Sequence, residues 1–217
     1  MSSGSDKVVA LRRLLDERHP CARPKPARLI PTGVAGLDDI LGGGLRTGVL
    51  TELVSAAVST GSQTALSSLL ATTRQAGKRI ALVDAADAFD PEGLDDDAVA
   101  HVVWVRCATL DECWRVADLV ARDPNYAVTV IDLRGRSLRE LMRTKDSVWT
   151  RLQRAAEQAE TAVLIQSDSA LVPNAAFRVA FTAGLRPETL TLPRRAIVEA
   201  LAPALQRRRS RPLEASA

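Results

Sequence analysis

Aromatic residues are scarce in this chain: three Trp, three Phe and one Tyr make up 3% of 217 residues. Trp104, Trp114 and Trp149 all fall in apolar strand or helix contexts, so they read as core rather than as platforms for stacking bases. Cysteine is also sparse. Cys21, Cys107 and Cys113 are an odd count without Cys-x-x-Cys or zinc spacing, which argues against a metal or dithiol motif and suits reduced thiols in a cytosol. The two histidines, His19 and His101, lie far apart and outside any metal-ligand pattern. No apolar run reaches the ~18 residues of a membrane span, and Met1 to Lys7 has no apolar region behind it of the kind a signal peptide needs. These absences set the expectation of a soluble cytoplasmic protein with no membrane partner, no metal and no cofactor. Lysine is rare too, four residues against twenty-five arginines. Arginine suits bidentate contact with phosphate or carboxylate, although a GC-rich genome leaves the same bias. A net charge of +3 is too small to argue nucleic-acid binding by itself.

What is present is an apolar content of 46%, ample for one α/β domain of this length. Asp6 to Arg18 reads as a short amphipathic helix with Val8, Leu11 and Leu15 on one face and Arg12 mostly elsewhere. His19-Pro20 ends it, and Cys21 to Leu29 forms a basic, proline-containing linker. Uniformly apolar strands are expected at Val49–Val54, Arg79–Asp84, Val102–Val105, Ala127–Asp132 and Ala162–Gln166. They alternate with helices near 37–41, 62–76, 110–122 and 138–160. That alternation indicates a mostly parallel sheet covered by helices on both faces. Ala176–Thr182 and Thr189–Leu192 are candidate further strands. Arg194 to Arg208 is expected as a terminal helix, and with Arg194, Arg195, Arg207, Arg208 and Arg209 it lies in the most basic segment of the chain. The organisation expected is an N-terminal helix and linker (1–28), a core (29–193) and an arginine-rich helix and tail (194–217).

The segment Gly48 to Thr64 sits where a phosphate-binding loop belongs, between an apolar strand and a helix. A Walker A loop requires Gly-x-x-x-x-Gly-Lys-[Ser/Thr], because glycine lets backbone N–H groups wrap phosphate, lysine reaches the β/γ-phosphates and the hydroxyl holds Mg²⁺. Here Ser55 stands near the first glycine, one residue further from Gly61 than the motif allows. Ser62 and Gln63 then follow Gly61 where Lys-[Ser/Thr] should be.

The run Ile30 to Leu53, with Thr32-Gly33, Leu37-Asp38, Leu41-Gly42-Gly43-Gly44-Leu45, Gly48 and Glu52, resembles the segment leading into Walker A in the RecA recombinase superfamily. Val83-Asp84-Ala85, Asp90-Pro91 and Val128 to Asp132 extend the resemblance to about Thr182. It implies a RecA-like, P-loop-type α/β core with a degenerate Walker A. Carried over position by position, Ala86 stands at the place of the catalytic glutamate, Gly93 near the adenine-stacking ring, and only Asp132 keeps its Walker B identity. A pseudo-ATPase, not an enzyme, is expected. The DNA loops of that superfamily are also changed, leaving Arg134, Arg136 and Arg139 as candidate nucleic-acid contacts beside a second loop shortened to about 167–175.

Within the superfamily the chain is most similar to the ImuA group, which is classed with the division inhibitor SulA. That resemblance implies a role in SOS mutagenesis and translesion synthesis, with RecA, ImuB and an error-prone polymerase as partners. Because RecA protomers assemble through an N-terminal helix, the resemblance to RecA makes Val8, Leu11, Arg12 and Leu15 expected partner contacts, and the basic charge of Arg194, Arg195, Arg207, Arg208 and Arg209 makes them a second candidate partner surface. A RecA-like ATPase with weak nucleotide or DNA binding, or a SulA-like division inhibitor, are the alternative readings.

Overall fold

The computed structural model describes residues 27–209 apart from Val58, Gly93 and Asp95. The expected helix Asp6–Arg18, with Val8, Leu11, Arg12 and Leu15, lies outside the described residues, as does the tail after Arg209.

A two-stranded antiparallel ribbon, β1 (Leu29–Ile30) with β2 (Leu45–Arg46), brackets helix α1 (Ala35–Leu41). Gly44 must be glycine: its φ is +131°, and a Cβ there would lie 2.3 Å from the Ile30 carbonyl oxygen. The main sheet follows, with β3 (Leu50–Val54), β4 (Arg79–Asp84), β5 (Val102–Arg106), β6 (Tyr126–Asp132), β7 (Ala162–Ser167), β8 (Phe177–Phe181) and β9 (Pro203–Arg208). Their order across the sheet is β5-β4-β6-β7-β3-β8-β9, parallel from β5 to β8, with β9 antiparallel on the edge. Because β3 to β8 all point the same way, their carboxyl ends share one edge, where loops can meet.

The period-two pattern of the strands divides the core. In β4, Ile80 and Leu82 pack with α1 and with α2 (Ser62–Gln75), while Ala81 and Val83 face the opposite cluster. That second cluster is built on α4 (Leu110–Ala121) and α6 (Asp146–Ala159), where Trp114 and Trp149 meet edge to face with ring centroids 5.1 Å apart. The four-residue α3 (Asp96–Val99) lies between β4 and β5 and carries no buried residue. Helix α4 begins with a capping box, Thr109 with Glu112.

Three sequence expectations are corrected. The stretch expected as one helix, Leu138 to Glu160, is two: α5 (Leu138–Leu141) and α6, because Lys145 turns to an extended conformation before Asp146. Thr189–Leu192 is not a strand. It closes a 3-10 turn, Pro187–Thr191, held between Pro187 and Pro193. The expected helix Arg194–Arg208 stops at Glu199 as the short α7 (Arg194–Glu199), since Pro203 has no N–H to continue it; residues 203–208 instead form β9 against β8. Arg207 and Arg208 therefore sit on an edge strand, Arg208 over the Phe177 ring at 5.6 Å, and Arg209 donates to the Pro173 carbonyl at 3.3 Å. Arg194 is exposed on α7, and Arg195 pairs with Glu199. Among the described residues no helix is long and apolar enough to cross a membrane.

Candidate phosphate-loop site

The carboxyl edge of the sheet gathers the expected site residues. Ser55 follows β3, and the chain then turns through Gly61 (φ 90°), the N-cap of α2, placing Ser62 and Gln63 in the first turn. Asp132 ends β6, which β7 separates from β3. The residue five before Gly61 is Ala56, so neither Ser55 nor the residue at the motif's own spacing is a glycine.

Arg134 joins these residues. Its Nε donates to Asp132 Oδ1 at 2.8 Å, its Nη1 to Ser62 Oγ at 3.0 Å and its Nη2 to Gln63 Oε1 at 3.1 Å. A further short contact runs from Nη2 to Asp132 Oδ2. Asp132 is fully buried and the Arg134 side chain is only 13% exposed. Burial would lower the guanidinium pKa, but the hydrogen bonds and charge of Asp132 outweigh it and hold it above its ordinary value. The arrangement starts locally, since the Arg134 N–H also donates to Asp132 Oδ1 in an Asx turn. A cation from the chain itself thus bridges the Asp132 carboxylate and the first turn of the helix.

The chain also covers the loop from outside. A Cβ on Gly61 would lie 2.1 Å from Leu201 Cδ2, and the Leu185 N–H donates to the Ser59 carbonyl at 2.8 Å. Leu201 is buried, so the stretch between β8 and β9 packs directly on the phosphate loop. Beside it remains a cavity of about 510 Å³ lined by Ser55, Ala56, Ala57, Ser59, Thr60, Gly61, Ser62, Arg134 and Asp168. The Ser55 hydroxyl is buried there without a partner among the described residues.

These residues do not fit a Mg²⁺-nucleotide. The carboxylate that would hold the metal is paired with Arg134, no lysine lines the loop cavity among the described residues, and Leu201 occupies the approach to Gly61. Ala86 lies apart, in a separate cleft of about 610 Å³ with Asp87, Arg106, Cys107, Gly135 and Arg136. Asp84 beside it is fully buried, and its carboxylate accepts from the Ala86, Ala88 and Phe89 N–H groups and from Trp104 Nε1. It caps a turn rather than facing a reactant. Gly93 lies outside the described residues. Cys107 and Cys113 are free and buried, and burial pushes both thiols up, which disfavours the nucleophilic thiolate.

Of the candidate nucleic-acid contacts, Arg134 is turned inward as above. Arg136 also points in, donating to the carbonyls of Ala85 at 2.5 Å, Ala108 at 2.9 Å and Cys107 at 3.3 Å. Arg139 is exposed, and its side chain has no partner among the described residues. The loop after β7 is pinned down. Glu52, fully buried, accepts from the Leu171 N–H at 2.6 Å, the Val172 N–H at 3.1 Å and Arg178 Nε at 2.5 Å.

Sequence reasoning missed Arg134 as a partner of Asp132, though an Arg two residues after an Asp at a strand end is a readable local signal. It also missed Leu201, for which no local signal exists, because the contact spans most of the chain.

No family model matches the sequence. Over 132 residues, 58% of this chain, it is 34% identical to Protein RecA of Clavibacter michiganensis subsp. michiganensis, covering 34% of that protein. The similarity it supports is RecA-like. Protein RecA of Kineococcus radiotolerans is 33% identical over 129 residues, 57% of this chain and 34% of its own length. The chain spans about a third of the length of these curated relatives. The mostly parallel, helix-flanked sheet is consistent with a RecA-like core at the level of the superfamily.

Proposed function

We infer that this chain is a non-hydrolysing RecA-like protein that works by binding other proteins in the SOS response and error-prone translesion synthesis. The observation that carries the reading is Arg134 held between Asp132, Ser62 and Gln63, where a nucleotide's metal and phosphates would have to enter. A RecA-shaped surface with its nucleotide site closed by its own side chains can dock beside RecA without propagating a filament. RecA is therefore the first partner proposed, with the effect of limiting filament growth or recombination. The ImuA-like layout of residues 1–53 supports the second, ImuB with its error-prone polymerase, recruited through the basic segment 194–211. DNA contact is at most weak, since two of the three candidate arginines are engaged internally.

The test is RecA filament length and strand exchange with and without this protein. Shortened filaments that recover when residues 1–28 are deleted are expected; unchanged filaments together with no detectable RecA binding overturn the reading. Arg194→Glu/Arg195→Glu, both at exposed positions, should abolish co-precipitation of ImuB, and retention would argue against the basic segment as the contact. A second reading rests on the unpartnered Ser55 hydroxyl facing the 510 Å³ cavity. An anion held by hydroxyls and the N-terminus of α2 would fit that cavity, and binding of inorganic phosphate lost in Ser55→Ala would favour it.

A further inference from the structure

The turn after the inward-facing arginines presents a different surface. Leu141 is buried in the core and anchors α5, while Leu138 is 46% exposed and Met142, at 74%, is the most exposed large apolar side chain among the described residues. The Met142 N–H donates to the Leu138 carbonyl at 2.9 Å, so the helical turn continues and these two side chains stack one above the other. Arg139 stands about 100° round from Leu138, and Arg143 follows Met142 in the turn beyond the helix, where its N–H donates to the Glu140 carbonyl at 3.1 Å. Lys145 follows at the end of the turn. All three cations are exposed, and their side chains have no hydrogen bond or ion pair among the described residues. Glu140 lies on the far side from the apolar pair.

We propose that Leu138, Met142, Arg139 and Arg143 form a docking surface for an acidic amphipathic segment of another protein. The apolar pair supplies the adaptable, water-excluding contact that methionine suits. The neighbouring cations select a partner whose apolar residues are flanked by carboxylates, and charges without a partner among the described residues would be matched on binding. Nucleic acid fits less well. Residues 133–145 contain no aromatic ring on which a base could stack, and exposed aliphatic side chains gain nothing from a phosphate backbone. The proposal does not depend on which partners the preceding section names.

The experiment uses the full chain and fluorescence anisotropy with three probes. They are an ~18-residue helical peptide with leucine on one face and glutamate flanking it, a scramble of the same composition, and an oligothymidylate of similar length. The amphipathic peptide is expected to bind at least about tenfold tighter than the scramble. Leu138→Asp/Met142→Asp and Arg139→Glu/Arg143→Glu should each weaken it by about tenfold while melting is unchanged, because all four side chains are exposed. Absence of peptide binding, or binding that survives both double variants, overturns the proposal. So does oligothymidylate binding that is lost in the arginine pair while the peptide does not bind.

Discussion

Glu52 and Asp132 are both fully buried carboxylates, and each holds an arginine, yet the two pairs are built differently. Glu52 is served by Arg178 from another strand and by two backbone N–H groups of the loop after β7. It ties β3, β8 and that loop together, and removing either partner strands a charge in the core. Asp132 is served by an arginine two residues along, beside a cavity that admits solvent. Arg134 also ties the end of β6 to the first turn of α2 through Ser62 and Gln63, at the place where phosphate chemistry would occur. A buried ion pair is therefore read by what surrounds it: the first organises the fold, and the second closes a site.

The comparison can be broken by mutation. Arg178→Met leaves Glu52 uncompensated and should cost about 3–5 kcal/mol in denaturant unfolding; adding Glu52→Gln should recover part of it, as coupled residues do. Leu201→Ala removes the cover from Gly61 without touching charge and should cost about 2–4 kcal/mol. Arg134→Met should cost less than Arg178→Met, about 1–3 kcal/mol, because the cavity beside Arg134 would let water reach the uncovered Asp132. Equal or reversed losses for the two arginines would remove the distinction drawn here.

The smallest expected effect lies away from both pairs. Burial, with Arg74 adding to it, holds the His101 imidazole below its ordinary value of 6.5, although Asp97 opposes the shift. The folded chain keeps this ring neutral, while the unfolded chain takes up a proton first. Its contribution to stability is thus present above about pH 6.5 and is lost as pH falls through the folded value. The wild type should lose slightly more stability than His101→Gln between about pH 7 and about pH 5, measured by thermal melts.

Much of the core was legible in residue patterns. The five apolar runs from Leu50 to Ser167 became strands because a parallel sheet buried on both faces needs continuous Val, Ile and Leu. The C-terminal part was misread because Arg194–Arg208 has helical composition, and only tertiary pairing with β8 and the stop at Pro203 convert its end to a strand. In the site, the sequence shows Ser62 and Gln63 where the motif would have lysine, and the fold brings both beside Asp132. The role of Arg134 was not legible, because its charge suggested an outward contact and only the fold brings Ser62 and Gln63 within its reach. Leu201 against Gly61 joins segments far apart in sequence, so no local pattern could announce it.

Calorimetric titration of Mg²⁺-ATP into the full chain, followed by a phosphate-release assay, tests the closed site most directly. The Arg134 arrangement predicts no saturable binding and no turnover. Micromolar binding with phosphate release would contradict it.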